Sequence, residues 1–149
     1  MVAAVTYTTT TNLSNPARQC LGDNVVVFTK SLSAFHGTAS SAILLCKVPN
    51  HAIIYDAAYA CAGATSAVTA TLLELRVNGV AIAATTSANQ ATAGLNRAGL
   101  LPYKVSLSDG AANQYAIVSL MCTTAGTAST SLSVAGFVAY SMDESDIPR

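Results

Sequence analysis

Two histidines, His36 and His51, are the residues of this chain best suited to act as general bases. Histidine catalysis needs a nucleophile and an orienting acid close in space. His36 lies in a turn-like Ser-Ala-Phe-His-Gly segment, and His51 directly follows Pro49 and Asn50. Neither segment matches a nucleophile elbow or a protease motif. We interpret both histidines as loop residues without a catalytic role.

Paired carboxylates are the other arrangement that could support hydrolysis, since glycosidases hold two carboxyl groups at a set distance across a sugar. The sequence alone leaves one such pair open, Glu74 with Asp56. Glu74 alternates with Arg76 along a strand-like run, which favours a solvent-facing position instead. We therefore predict that the chain is not an enzyme.

The four cysteines carry no spacing typical of a metal site. Zinc ribbons need closely spaced thiolate pairs, and no CxxC pair occurs. Cys46, Cys61 and Cys122 lie in apolar, strand-like runs, so we expect buried free thiols there. A calcium loop needs several oxygen ligands at close spacing, and a phosphate-binding loop needs a Gly-rich motif. Neither occurs, so we predict no metal and no cofactor.

Tyr55 and Tyr59 are the aromatic pair most suggestive of binding. They are four residues apart in an apolar run, which would place them on one face of a strand. The six tyrosines are otherwise dispersed and tryptophan is absent, whereas sugar and base platforms concentrate aromatics. We favour a core or subunit-interface role for the pair over a carbohydrate site.

The composition favours a component of an assembly. Only 9% of the residues are charged and 52% are hydrophobic, against about 25% charged in ordinary soluble domains. A net charge of zero promotes self-association and provides no basic excess for nucleic acid. The first eleven residues lack a secretory signal, and no apolar stretch reaches the ~20 residues of a membrane span. We expect a soluble chain that contacts neither nucleic acid nor membrane.

Short apolar runs with period-two alternation indicate an all-β fold. Asn78-Gly79 has the residue types of a type I′ hairpin turn, with Leu73, Leu75 and Val77 on the dry face before it. Many strands in one small domain imply a two-sheet antiparallel β-sandwich or a barrel. The expected strands are residues 3–9, 24–29, 42–48, 52–62, 68–77, 80–85, 103–107, 115–122 and 130–140.

The last expected strand has two unlike faces. Leu132, Val134, Val138 and Tyr140 share one side, and the other side consists mostly of small residues. A small, neutral second face is typical of a strand that lies against something else. Residues 87–99 are polar and predict the longest loop. We divide the chain into an extended N-terminal arm (1–16), a β-sandwich domain (17–142) and an acidic tail (143–149).

Three segments together resemble small structural proteins of tailed bacteriophages. Residues 44–65 contain a strand, Val-Pro-Asn and a second apolar strand; a hairpin follows at 69–85. Residues 115–143 resemble their closing hairpin, with an Ala-Gly-Thr-Ala turn and an alternating strand that ends in tyrosine. The resemblance is to virion decoration (cement) proteins, which have a jelly-roll-like β-sandwich and are often trimeric.

This resemblance implies a non-enzymatic capsid decoration protein. It would bind the major capsid protein lattice at the capsid surface, form a homotrimer and assemble in the host cytoplasm. We expect the arm to reach a neighbour through Tyr7 and Arg18. The candidate interface residues are Val2, Val5, Tyr7, Arg18, Tyr55 and Tyr59. The alternatives are a phage tail, neck or fibre subunit, or a carbohydrate-binding β-sandwich module.

Overall fold

The described residues of the chain form β-strands joined by turns and short irregular segments. A computed structural model describes residues 6–7, 23–36, 41–62, 72–83, 86–87, 95–107, 114–124 and 129–142. In these ranges no helix is long and apolar enough to cross a membrane. The strands are β1 (Thr6–Tyr7), β2 (Asp23–His36), β3 (Ala42–Pro49), β4 (Ala52–Ala62), β5 (Leu72–Val77), β6 (Val80–Ala81), β7 (Thr86–Ser87), β8 (Asn96–Arg97), β9 (Tyr103–Lys104), β10 (Tyr115–Thr124) and β11 (Ser129–Met142).

The strands make two sheets. Sheet A has the order β1-β3-β10-β5-β6, with β7 also pairing with β5. Sheet B has the order β2-β11-β4-β8, with β9 also pairing with β4. All pairs are antiparallel except β1 with β3. The prediction of a jelly-roll-like, two-sheet antiparallel β-sandwich is confirmed.

The expected strands differ from the observed ones mainly in length. β4 has the predicted bounds, because a Pro-Asn turn precedes its apolar run. β2 is longer than predicted and runs to His36, since it pairs with β11 along nearly all of its 14 residues. Within the described part of the run at 80–85, and in the run at 103–107, the strand pairing covers two residues each. Part of the predicted 87–99 loop is in fact the edge strand β8.

The Asn78-Gly79 turn is confirmed as a tight hairpin. Asn78 and Gly79 have φ angles of 47° and 86°, as a type I′ turn requires. The turn joins β5 directly to β6, with Val77 opposite Val80. The predicted alternation on β5 is also confirmed, because Leu73, Leu75 and Val77 are buried.

The core lies between the inner faces of the two sheets. The predicted dry side of β11 is confirmed, and Cys46, Cys61 and Cys122 are buried free thiols as expected. Burial raises the pKa of the Cys46 thiol to about 12, although Lys30 opposes the rise, and burial raises that of Cys61 to about 12. The largest fully buried side chains are Tyr59, Tyr140, Ile43, Leu45, Ile54, Leu73, Leu75, Ile82, Leu120, Leu132 and Val48.

Gly136 lets sheet B pack closely at its centre. It lies opposite Phe28 on one side and Tyr59 on the other. A Cβ atom at this position would lie 2.7 Å from Phe28 Cζ and 2.9 Å from Tyr59 Cα, and would collide with the Ala58 carbonyl oxygen. Because Gly136 has no side chain, the Phe28 ring can occupy this position in the core.

Asn50 organises the connection between the two sheets. It sits in the predicted turn after Pro49, and its side chain is fully buried. Its Oδ1 accepts hydrogen bonds from the backbone N–H groups of His51 and Leu107, each at 3.0 Å. His51 has a φ of 67°, the left-handed conformation that turns the chain back. His51 thus has a structural position in the turn.

Candidate interaction surface

The side chains of sheet B that point away from the core in four neighbouring rows form a surface, which we call the sheet B outer face. A further row, Ser141–Ile53–Lys104, continues the sheet towards β9 outside this surface and carries an exposed lysine. The register brings β2, β11, β4 and β8 into matched rows across the sheet. Most members are small and uncharged. The four rows are Ser31–Ser133–Ala62, Thr29–Ala135–Ala60, Val27–Phe137–Ala58–Arg97 and Val25–Ala139–Asp56.

Two valines on β2 are the most prominent apolar side chains of this face. Val25 is 58% exposed and Val27 is 74% exposed. β2 is an edge strand of sheet B, so these side chains have a strand neighbour on one side within the described chain. Burying a side chain of this kind is worth about 1.5–3 kcal/mol. The pair therefore marks a surface that would gain stability from a partner.

One ion pair supplies the charge of these rows. Arg97 Nη1 donates to Asp56 Oδ2 at 2.6 Å, which ties β8 to β4. The Arg97 guanidinium carbon also lies 5.9 Å from the centroid of the Phe137 ring, within cation–π range. Arg97 thus covers part of Phe137 and neutralises Asp56. The four rows carry no net charge.

A hydroxyl pair lies at the other end of the face. Ser31 Oγ and Ser133 Oγ are 3.3 Å apart across the β2–β11 ladder. Because the two hydroxyl groups hydrogen-bond to each other, this row can be covered by a partner that offers it few hydrogen-bonding groups. The side chains of this row are also small, so they protrude little from the sheet.

The outer face of sheet A has a different character. Arg76 Nη2 lies 2.5 Å from Glu74 Oε2, and both residues are on β5, beside β10. Lys47 lies opposite Ile117, so a charged side chain with a long apolar stem stands beside the aliphatic one. The large apolar side chains of this face, Leu44, Ile117 and Met121, are all partly buried.

The structure keeps the candidate carboxylates apart. Glu74 points outward from sheet A, and Asp56 points outward from sheet B. The two carboxyl groups are on opposite surfaces and each has an arginine partner, so they cannot flank one substrate. In the described ranges no cluster of three His, Cys, Asp or Glu side chains could hold a metal ion.

The prediction that Tyr55 and Tyr59 share a strand face is wrong. The β4–β11 register shifts between Ala139 and Tyr140, where a β-bulge adds one residue to β4. The bulge places Tyr55 41% exposed at the surface and Tyr59 in the core, 1% exposed. Tyr59 is therefore inaccessible to a partner and is removed from the candidate interface.

Tyr7 is the one predicted arm residue that lies among the described residues. Tyr7 belongs to β1, whose two residues pair in parallel with Ala42 and Ile43 at the edge of sheet A. Val2, Val5 and Arg18 lie outside the described residues, as do most of the arm and the whole acidic tail. Their role at an interface stays a prediction.

Sequence reasoning missed the main members of the sheet B outer face. The small-residue side of β11 was a correct signal, because this side does face outward. Val25 and Val27 alternate with Val26 and Phe28, but a continuous apolar run gives no indication of which side is exposed. Arg97 was hidden within the polar segment interpreted as a loop.

Comparison with known proteins identifies a shared fold. No protein family model and no curated protein matches the chain. Among solved structures, a chain of the cyanophage Pam1 capsid asymmetric unit is similar, with a TM-score of 0.54 and 24% identity. That match covers 90% of this chain and 95% of the other. A chain of the acidic stable capsid structure of Helicobacter pylori bacteriophage KHP30 has a TM-score of 0.50 and 12% identity, covering 81% of this chain and 94% of the other. The chain thus has a fold that occurs in bacteriophage capsid structures.

Proposed function

We propose that this chain is a non-enzymatic structural protein of a bacteriophage virion, and specifically a decoration protein that binds the major capsid protein lattice. The observation that carries this proposal is the fold shared with chains of two phage capsid structures over most of both chains. The low charge content and zero net charge support it, because such a surface favours association over free solution.

In this proposal the chain acts by adhesion. It sits on the capsid surface as a homotrimer and is assembled there in the host cytoplasm. Repeated weak contacts around a lattice add up through multivalency, so no single contact needs to be strong. Its partners are the major capsid protein and other copies of itself.

A tail, neck or fibre subunit is the second candidate, and localisation on the particle separates the two. Antibody labelling of purified virions would detect a decoration protein over the whole capsid. Label confined to the tail or neck would replace the decoration role with the second candidate. A carbohydrate-binding role loses its proposed Tyr55–Tyr59 platform, because Tyr59 lies in the core.

The homotrimer is tested by the solution mass of the purified chain. Light scattering coupled to size exclusion should give three times the 15.1 kDa chain mass. A monomer that also stays monomeric on the particle would contradict the trimer.

The N-terminal arm provides a mutational test of attachment. Deleting residues 2–15 should abolish occupancy on capsids while the denaturation midpoint changes little, since β1 contributes a two-residue pairing. Deleting the acidic tail, residues 143–149, is the matched control and should leave occupancy unchanged. Full occupancy of the arm-deleted chain would contradict the proposed role of Tyr7.

A further inference from the structure

We propose that the sheet B outer face is a second surface, besides the N-terminal arm, through which each copy contacts the capsid lattice, and that it meets an uncharged, apolar protein surface there. This inference rests on the proposed decoration function and names the part of the chain that would carry it. It assigns no contact to the outer face of sheet A.

The charge of the face determines the chemistry of its occupant. Arg97 and Asp56 supply the charge of the four rows, and they are paired with each other at 2.6 Å. A charged partner surface would have to be desolvated against side chains that offer it no opposite net charge. A neutral partner has no such cost, so the occupant is apolar or neutral.

The shape of the face suits a flat protein surface. Alanine or serine occupies most positions of the four rows; Ala62 and Ala135 are exposed, whereas Ala58 and Ala139 are already buried within the chain. Val25 and Val27 project beside these small side chains along β2. A partner can therefore contact the exposed small side chains and still bury two protruding apolar ones.

The size of the face favours a lattice over a second copy alone. Thirteen side-chain positions, spaced about 4.8 Å between strands and about 6.6 Å along them, make a face of about 400 Å². Stable pairwise complexes bury about 800 Å² on each partner. Two copies packed through this face alone would fall short of that area. A trimer on a lattice presents three such faces at once, and multivalency compensates for the small area of each.

The outer face of sheet A lacks the same driving force. Its Glu74–Arg76 pair and Lys47 stand beside the aliphatic side chains that would have to be buried. Docking on either face would remove an ion pair from water, but docking on sheet A would also remove the charge of Lys47. The two sheets therefore offer a matched comparison within one molecule.

The test substitutes one exposed valine on each sheet. Val27→Lys places a charge on the sheet B outer face, and Val80→Lys places the same charge at the hairpin of sheet A, where Val80 is 49% exposed. Both positions are surface positions, and denaturation midpoints near that of the unmodified chain would verify folding. Each protein is added to purified capsids of the phage that encodes the chain, after removal of this chain, and occupancy is measured by sedimentation.

We expect Val27→Lys to bind at least tenfold more weakly, and Val80→Lys to bind within twofold of the unmodified chain. Binding of the unmodified chain should also change less than twofold between 0.05 M and 0.5 M salt, since no charge pair crosses the contact. Equal binding of both variants and the unmodified chain would overturn the inference, as would an equal loss in both variants.

Two other outcomes distinguish failure of the proposed function from failure of the surface assignment. If the unmodified chain does not bind capsids, the proposed function fails before the surface is tested. If Val27→Lys lowers the solution mass of the free protein, the face belongs to a contact between copies, and the lattice assignment is wrong. An unchanged solution mass together with lost capsid binding supports the lattice.

Discussion

The outer faces of the two sheets cover their apolar side chains in different ways. On sheet A, charged side chains with long stems stand beside the aliphatic ones, and Ile117 and Met121 are partly buried. On sheet B, the neighbours of Val25 and Val27 are alanine, threonine and phenylalanine, so the valines stay exposed. The apolar side chains of the sheet A outer face are thus partly covered by neighbouring side chains. Those of sheet B stay exposed and could be covered by a partner.

The inner faces, by contrast, are alike. Both are lined by aliphatic side chains, and each holds a buried thiol with a raised pKa, Cys46 in sheet A and Cys61 in sheet B. The difference between the sheets is therefore confined to the surface and does not reflect a weaker core on one side. Three sets of substitutions test this contrast.

Gly136→Ala should have the largest effect on stability. The new methyl group would collide with the Ala58 carbonyl and the Phe28 ring, so β2 or β4 must move. We expect a loss of about 3 kcal/mol in the free energy of unfolding, measured by urea denaturation. Gly99→Ala is the control, because nothing lies within 4 Å of its added Cβ. An unchanged midpoint for Gly136→Ala would mean that sheet B does not depend on this close packing.

The buried thiols should make stability fall in alkaline solution, equally for both sheets. The pKa of Cys46 and of Cys61 rises from 9.0 to about 12 on folding, so above pH 9 the unfolded chain loses these protons first. Their contribution is complete below pH 9 and disappears as the pH approaches 12. Each thiol adds a slope of up to about 1.4 kcal/mol per pH unit in that window.

Cys46→Ala and Cys61→Ala isolate the slope that each thiol contributes. Each variant should show a flatter decline of the free energy of unfolding between pH 9 and 11 than the unmodified chain. The two flattened slopes should be similar. If one variant keeps the full slope, the inner faces of the two sheets are not equivalent.

Arg97→Ala and Arg76→Ala should have the smallest effects on stability and still separate the two outer faces. Each removes an ion pair at the surface, where such pairs contribute up to about 1 kcal/mol. Only Arg97→Ala uncovers an aromatic ring, that of Phe137. Binding of an apolar fluorescent dye should therefore rise in Arg97→Ala and stay unchanged in Arg76→Ala. A similar rise in both would show that the arginine on sheet A also covers apolar surface.

Local sequence features predicted those parts of the fold that depend on neighbouring residues. The Asn78-Gly79 turn, the bounds of β4 and the dry side of β11 all follow from residue types and alternation within a few positions. Sheet membership did not follow, because the pairing of β2 with β11 joins residues about a hundred positions apart.

The candidate surface was only partly predictable for the same reason. The bulge at Tyr55 arises from a mismatch between β4 and β11, so neither strand reveals it alone. Arg97 gains its role through its positions beside Asp56 and Phe137, which are distant in sequence. The small residues of β11 did signal an outward contact, since that signal depends on alternation within one strand.

The positions of β10 and β11 have a consequence for synthesis of the chain. β10 lies between β3 and β5, and β11 lies between β2 and β4, so the longest ladders of both sheets pass through these two strands. A nascent chain that has left the ribosome only as far as residue 114 lacks the central strand of each sheet. Long-range strand pairing of this kind forms slowly and exposes apolar segments meanwhile. Folding must therefore wait until β11 has been translated and released, and until then the valines of β2 belong to an unpaired strand that chaperones can bind.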